Sequence, residues 1–219
     1  MGKGARLFLG LWMALLIVVS YRVPMMREGF MDPEGYRIVF YHVPAAWTMG
    51  LALLLAGIFG GLYLATRKPR WDLHAATAVE LGFLFGMVAT VTGSIFSRNQ
   101  WGAFWNWDPR QTSILALLLL YLAYLALRAS VEEEERRARF SAVYTLVAVV
   151  PMLFLFAFMP RMTPSLHPEK APLITGSQWL VLLGMWLGYL GLYAWLHRLR
   201  VTAFACEAQV LSLRWQREE

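Results

Sequence analysis

The stretch IVFYHVPAAWTMGLALLLAGIFGGLYLAT, Ile38–Thr66, decides the fold. It carries no Asp, Glu, Lys or Arg, and it exceeds the ~20 mostly apolar residues that a helix needs to cross a bilayer. An open strand in hydrocarbon would leave its backbone N–H and C=O groups unpaired, so helix is the default. Five more stretches have the same character at or near that length: Arg6–Val23, Leu73–Ser97, Thr112–Arg128, Phe140–Pro160 and Ser177–His197. Thr112–Arg128 is short, but its run Ile114–Leu127 has no charge. The sequence therefore predicts an all-α polytopic membrane protein, with residues 1–219 forming one domain of six transmembrane helices.

Composition agrees. Of the 219 residues, 58% are hydrophobic and 16% charged, against ~45–50% and ~25% in soluble domains. A disordered chain, a soluble enzyme and a disulfide scaffold are excluded. Cys206 is the single cysteine and can form no internal disulfide. Lys3 and Arg6 ahead of an apolar core imitate a signal peptide, but Val18-Val19-Ser20 is a poor cleavage site, so this segment is read as the first span. The net charge of +6 does not point to nucleic acid, because the basic residues sit between apolar runs, where they act as topology signals and lipid contacts.

Sidedness follows from those basic residues. With the N-terminus in the cytoplasm, the inner segments hold thirteen Lys and Arg and the outer ones seven. The inner set includes Lys3, Arg67, Lys68, Arg70, Arg128 and the tail 198–219; the outer set is Arg22, Arg27, Arg37, Arg98, Arg110, Arg161 and Lys170. The bias places both termini in the cytoplasm. Glu132–Arg139, four acids followed by three bases, reads as a solvated helical hairpin with local ion pairs. The glycine pairs Gly57/Gly61, Gly82/Gly86 and Gly184/Gly188 let helices approach closely, either within this chain or against another subunit.

This orientation collects chemistry on one face. His42 lies just inside the start of the second span, and His167 lies in the third outer connection. Each neighbours a helix-breaking proline, Pro44 or Pro168. For either alone, a hydrogen-bonded structural histidine is the plain reading; as a pair, two neutral imidazoles can ligate one iron axially. Zinc is disfavoured, since no outer acid completes a tetrahedral set. The outer loop 98–111 holds Trp101, Phe104, Trp105 and Trp107. The first three are spaced as one face of a short helix. They read either as an interfacial belt or as a stacking surface for a large flat apolar ligand. Asp108 is read chiefly as the cap of the next helix, with Pro109 in its first position and Gln111 completing a box-like spacing. Arg98, Arg110, Arg161 and Lys170 are cations for headgroups or for carboxylates of an amphiphilic ligand. Glu80 falls toward the inner side, away from the tryptophans, for a structural hydrogen bond or a partner contact. There is no Walker sequence, no Cys-x-x-Cys-His and no nucleophile–base arrangement, so an enzyme is not expected.

Trp101-Gly102-x-x-Trp105-x-Trp107-Asp108-x-Arg110-x-Thr112 resembles the tryptophan-rich (WWD) signature of haem-handling proteins in cytochrome c maturation. Tyr41-His42-Val43-Pro44-Ala45-Ala46-Trp47 and Ser165-Leu166-His167-Pro168 resemble the two histidine segments of the CcmC (haem exporter protein C) type, and the likeness extends from about Val39 to Leu190. The resemblance implies haem presented on the outer face of the inner membrane, with His42 and His167 as axial ligands and the Trp101–Trp107 loop, Asp108 and Arg110 included in its site. It implies delivery to a CcmE-type haem chaperone. Its implied neighbours are ATPase and membrane subunits of an ABC transporter (CcmA and CcmB types) and a small single-span CcmD-type subunit. Two other readings remain open: a permease moving haem or another small solute, and a structural subunit whose tryptophans anchor an interface.

Overall fold

The computed structural model describes residues 2–24, 31–167 and 176–218; Arg27, Pro168 and Lys170 lie outside them. The described chain is almost wholly helical and contains no strand. Helix α1 is Lys3–Arg22. A short 3-10 turn, Gly35–Ile38, leads into α2, Val39–Thr66, followed by α3, Pro69–Trp101, and α4, Pro109–Ser130. Helix α5, Glu134–Leu153, passes through a π-helical turn, Phe154–Phe158, into the short α6, Met159–Met162, and α7 is Gly176–Glu218. Six of these units are long and apolar enough to span, with α5, the π turn and α6 forming one of them.

The boundaries follow local chemistry. Arg67 turns into the left-handed region (φ 55°) and closes α2. Pro69 and Pro109 begin α3 and α4, where a missing N–H costs nothing. Gly102 (φ 81°) ends α3, its N–H bonding Arg98 O at 3.1 Å, a backbone shape that glycine adopts without penalty. Pro44, expected to break the helix, does not: α2 continues through it. A spanning helix tolerates proline where neighbouring groups take up the freed backbone. Helix α7 has 43 residues, about 65 Å, twice the ~30 Å hydrocarbon thickness.

Helix α2 is the centre of the bundle and packs most extensively on α3, then on α5 and α7. Small residues bring the axes together. A Cβ at Gly82 would stand 2.7 Å from Leu53, and Gly184 and Gly188 of α7 lie against Leu16 and Met13 of α1. The glycine stripes thus serve contacts within this chain. Gly61 is the exception, with only Leu146 Cδ1 near it at 3.8 Å. Leu7, Phe8, Leu11, Val147 and Val150 are exposed and form part of the apolar outer surface of the described bundle.

At the end opposite the tryptophans, polar side chains pair across helices. Arg128 of α4 grips both carboxylate oxygens of Asp72 at 2.7 Å. Arg200 of α7 reaches Glu80 at 2.7 and 3.2 Å, which gives that carboxylate a partner within the bundle. His74 and His197 meet at 2.9 Å with ring planes 9° apart. In the α4–α5 hairpin, Arg136 pairs with Glu133 and Arg137 with Glu134, each three residues apart. Asp72→Ala strands a guanidinium that is only 19% exposed and is expected to cost about 3 kcal/mol. Glu133→Ala breaks the open Arg136 pair and is expected to cost less than about 1 kcal/mol. Thermal unfolding of the two variants in detergent checks the contrast.

Candidate functional site

His42 sits in the first turn of α2, facing α3. Its Nδ1 lies 3.0 Å from Ala89 O and 3.1 Å from Thr92 Oγ1. A carbonyl only accepts, so Nδ1 carries the proton, and in the neutral ring Nε2 then keeps the lone pair. The ring packs directly over Gly93, where a Cβ would come within 2.9 Å of His42 Cε1. No described residue hydrogen-bonds His42 Nε2.

His167 reaches the same state by another route. Its Nδ1 lies 3.2 Å from Asp108 Oδ1. Burial, helped by the Arg110 guanidinium, pulls its pKa down to about 4 against the pull of Asp108. The ring is therefore neutral at neutral pH; Nδ1–H donates to the carboxylate and Nε2 keeps the lone pair. Asp108 is the cap expected from sequence, accepting from Arg110 N–H at 2.9 Å, and it does more. Its carboxylate also receives Ser165 Oγ–H at 2.9 Å and Leu166 N–H at 2.7 Å. Burial pushes the Asp108 carboxyl up, but the Leu166, Arg110 and Ser165 hydrogen bonds outweigh it and hold the group below the usual carboxylate range.

The two imidazoles line one cavity of about 330 Å³, together with Trp105 and Arg110, a size within the ~300–1,000 Å³ of small-molecule and cofactor pockets. Its walls come from α2, α3, α4 and the α5–π–α6 unit. Among the described residues no group of three or more His, Cys, Asp or Glu is placed to hold a metal. Two imidazoles with unbonded Nε2 atoms on one cavity are the type of donor set that a haem iron takes. Arg110 adds a buried Nε with no hydrogen-bond partner.

The tryptophans divide their work. The segment expected as a short helix is irregular, because Gly102 stops α3 one residue past Trp101. Trp101 packs edge-on against the His167 ring at 5.0 Å and braces it. Trp105 lines the cavity and meets Trp107 edge-on at 5.9 Å. Trp107, in the left-handed region (φ 55°) and 72% exposed, faces outward; so does Phe104, with Arg98 over its ring. Gln111 does not close a capping box. Its side chain accepts from Asn106 N–H at 2.8 Å and donates to Phe104 O at 3.4 Å, and Asn106 Nδ2 donates to Ser97 Oγ at 2.7 Å. These bonds hold the loop that carries Trp105.

Sequence reasoning gave no site role to Gly93, Ala89, Thr92 and Ser165, which set the imidazoles, nor to Trp47 and Phe156, which line the cavity. Phe156 comes from the π turn, and such turns recur at functional sites. Pro151 and Pro160, either side of it, were the available signal. Trp47 is held edge-on by Trp186 at 5.2 Å.

A family model described as heme exporter protein C (CcmC) matches residues 5–216. The heme exporter protein C of Bradyrhizobium diazoefficiens is 36% identical over 139 residues, 62% of this chain and 52% of that protein. A putative cytochrome c biosynthesis ccmC-like mitochondrial protein of Marchantia polymorpha is 36% identical over 114 residues, 52% of this chain and 50% of that protein. The heme exporter protein C of Escherichia coli K12 is 33% identical over 147 residues, 64% of this chain and 59% of that protein. The matched stretch thus spans about half to three fifths of these curated relatives. With the family model covering nearly every residue, the chain belongs to the heme exporter protein C family.

Proposed function

We propose that this chain binds haem as cargo in the His42–His167 cavity and presents it for transfer during cytochrome c maturation. The carrying observation is that two histidines, far apart in sequence, share one cavity, each with Nδ1–H anchored and Nε2 unbonded. His42 and His167 ligate the iron axially, Trp105 offers the ring an aromatic wall, and Trp101 and Asp108 hold His167 in place. Arg110 supplies positive charge in the cavity wall. The Lys and Arg distribution supports a multi-pass protein of the inner membrane with the cavity on its outer face and both termini in the cytoplasm. Six crossings, an even number, return the chain to its starting side. The tail 198–219 then extends α7 on the cytoplasmic side.

Family membership supports the setting: delivery to a membrane-tethered CcmE-type chaperone, beside CcmA- and CcmB-type transporter subunits and a CcmD-type single-span protein. This chain makes and breaks no covalent bond in that reading; it is a scaffold. A permease path would need ligands along the bilayer. The inner pair His74–His197 is closed on itself at 2.9 Å, with no space for a porphyrin between the rings.

The test is a titration of detergent-purified chain with haem. The expected result is one haem per chain and the spectrum of six-coordinate low-spin iron. A chain that yields no shifted Soret band at micromolar haem overturns the reading.

A further inference from the structure

The two imidazoles are built into the protein very differently. His42 belongs to the core. It rides on α2, its ring lies on Gly93 with no room for another carbon, and its Nδ1 is held by α3 backbone. To move it, the ring must give up its hydrogen bonds to Ala89 O and Thr92 Oγ1, while its backbone stays fixed in a spanning helix. His167 lies beyond the end of α6, outside any helix. The hydrogen bonds that fix Ser165, Leu166 and His167 converge on one carboxylate: Ser165 Oγ–H at 2.9 Å, Leu166 N–H at 2.7 Å and His167 Nδ1–H at 3.2 Å, all to Asp108. Ser165 Oγ in turn accepts His167 N–H at 3.1 Å. Beyond this the ring has edge and tilted contacts with Trp101 and Phe96.

We propose that His167 is the exchangeable axial ligand and Asp108 its latch, while His42 is the fixed one. This rests on the haem-binding reading above. Haem then leaves by substitution on the His167 side: a ligand brought by the receiving partner takes the position that His167 vacates, and His42 keeps the iron until last. Asp108 is a positioning residue, acting on the iron only through His167. It can do this because it is already fixed as the cap of α4, so the latch is anchored to a spanning helix. A carboxylate partner also makes the imidazole a stronger donor than a backbone carbonyl does. His167 therefore binds firmly while latched and is released as a unit with Ser165 and Leu166 when the carboxylate lets go.

Free imidazole is the probe. His167→Gly and His42→Gly are loaded with ferric haem in detergent and titrated with imidazole. His167→Gly is expected to recover the six-coordinate spectrum at millimolar imidazole; His42→Gly is expected to recover it at least tenfold less readily, since its space is closed by α3. In a second arm both histidines are kept and Asp108→Asn is used, because Asn still caps a helix but has one acceptor oxygen where the carboxylate has two. Carbon monoxide binding to the ferrous protein is expected to be at least tenfold faster in Asp108→Asn than in wild type, and haem affinity to fall by about 10–100-fold. Equal or better rescue of His42→Gly, or an unchanged carbon monoxide rate in Asp108→Asn, overturns the proposal. Loss of the six-coordinate spectrum in wild type itself would instead defeat the haem-binding reading.

Discussion

Gly93→Leu is expected to weaken the proposed haem binding by about 100-fold, as much as His42→Ala, although it leaves both histidines in the chain. The reason is steric. The ring of His42 occupies the space a side chain at 93 would need, with Cε1 2.9 Å and Nδ1 3.4 Å from an added Cβ. Even one carbon forces the ring to move; the branched end of Leu takes its place. The ring then loses the Ala89 carbonyl that fixes its tautomer, and second-shell losses of this kind cost about 10–100-fold in metal affinity. Losing the ligand as well places the effect at the upper end. The spectrum should change from six- to five-coordinate, matching His42→Ala. Gly61→Leu is the control, since a Cβ there meets only Leu146 Cδ1 at 3.8 Å, and it should leave the spectrum unchanged. If Gly93→Leu retains the six-coordinate band at wild-type affinity, His42 does not reach the iron from this position.

How much of this was legible in the residues depends on the range of the interaction. The spans were, because crossing hydrocarbon is a property of local composition, and the six stretches read from apolarity recur as six spans. The cap at Asp108 and the break at Gly102 are local as well. What Asp108 does for His167 was not legible. It joins residues 59 positions apart, and no pattern around position 108 announces a second set of partners. Glu80 was read as an intramembrane acid for a structural hydrogen bond or a partner contact, and only α7, bringing Arg200 from 120 positions away, supplies the group it bonds. The tryptophans show the opposite failure. Spacing at three and four residues implied a shared helical face, but one glycine in the left-handed region sends Trp101, Phe104 and Trp105 to three environments. Periodicity assumes a helix, and it misleads where a single backbone angle ends one.

A large structural effect is also expected at Gly60, a residue with no role in the cavity. Here α2 crosses α5, and an added Cβ would stand 2.2 Å from Thr145 Oγ1 and 2.9 Å from Ala142 O. The first obstacle is a side chain and the second is backbone. Gly60→Leu is expected to destabilise by about 3 kcal/mol, the upper part of the range for overpacking, because the carbonyl cannot rotate away without breaking helix α5. Thermal unfolding in detergent should show it, with Gly61→Ala, one position along α2, close to wild type. Thr145→Ala separates the two obstacles. Removing the hydroxyl clears the nearer clash, so Gly60→Ala combined with Thr145→Ala should be more stable than the sum of the two single losses, by the coupling expected of residues in contact. The recovery should stay incomplete, since Ala142 O remains at 2.9 Å. Full additivity would mean that α2 and α5 do not meet at this crossing, and the packing at this end of the bundle would have to be redrawn.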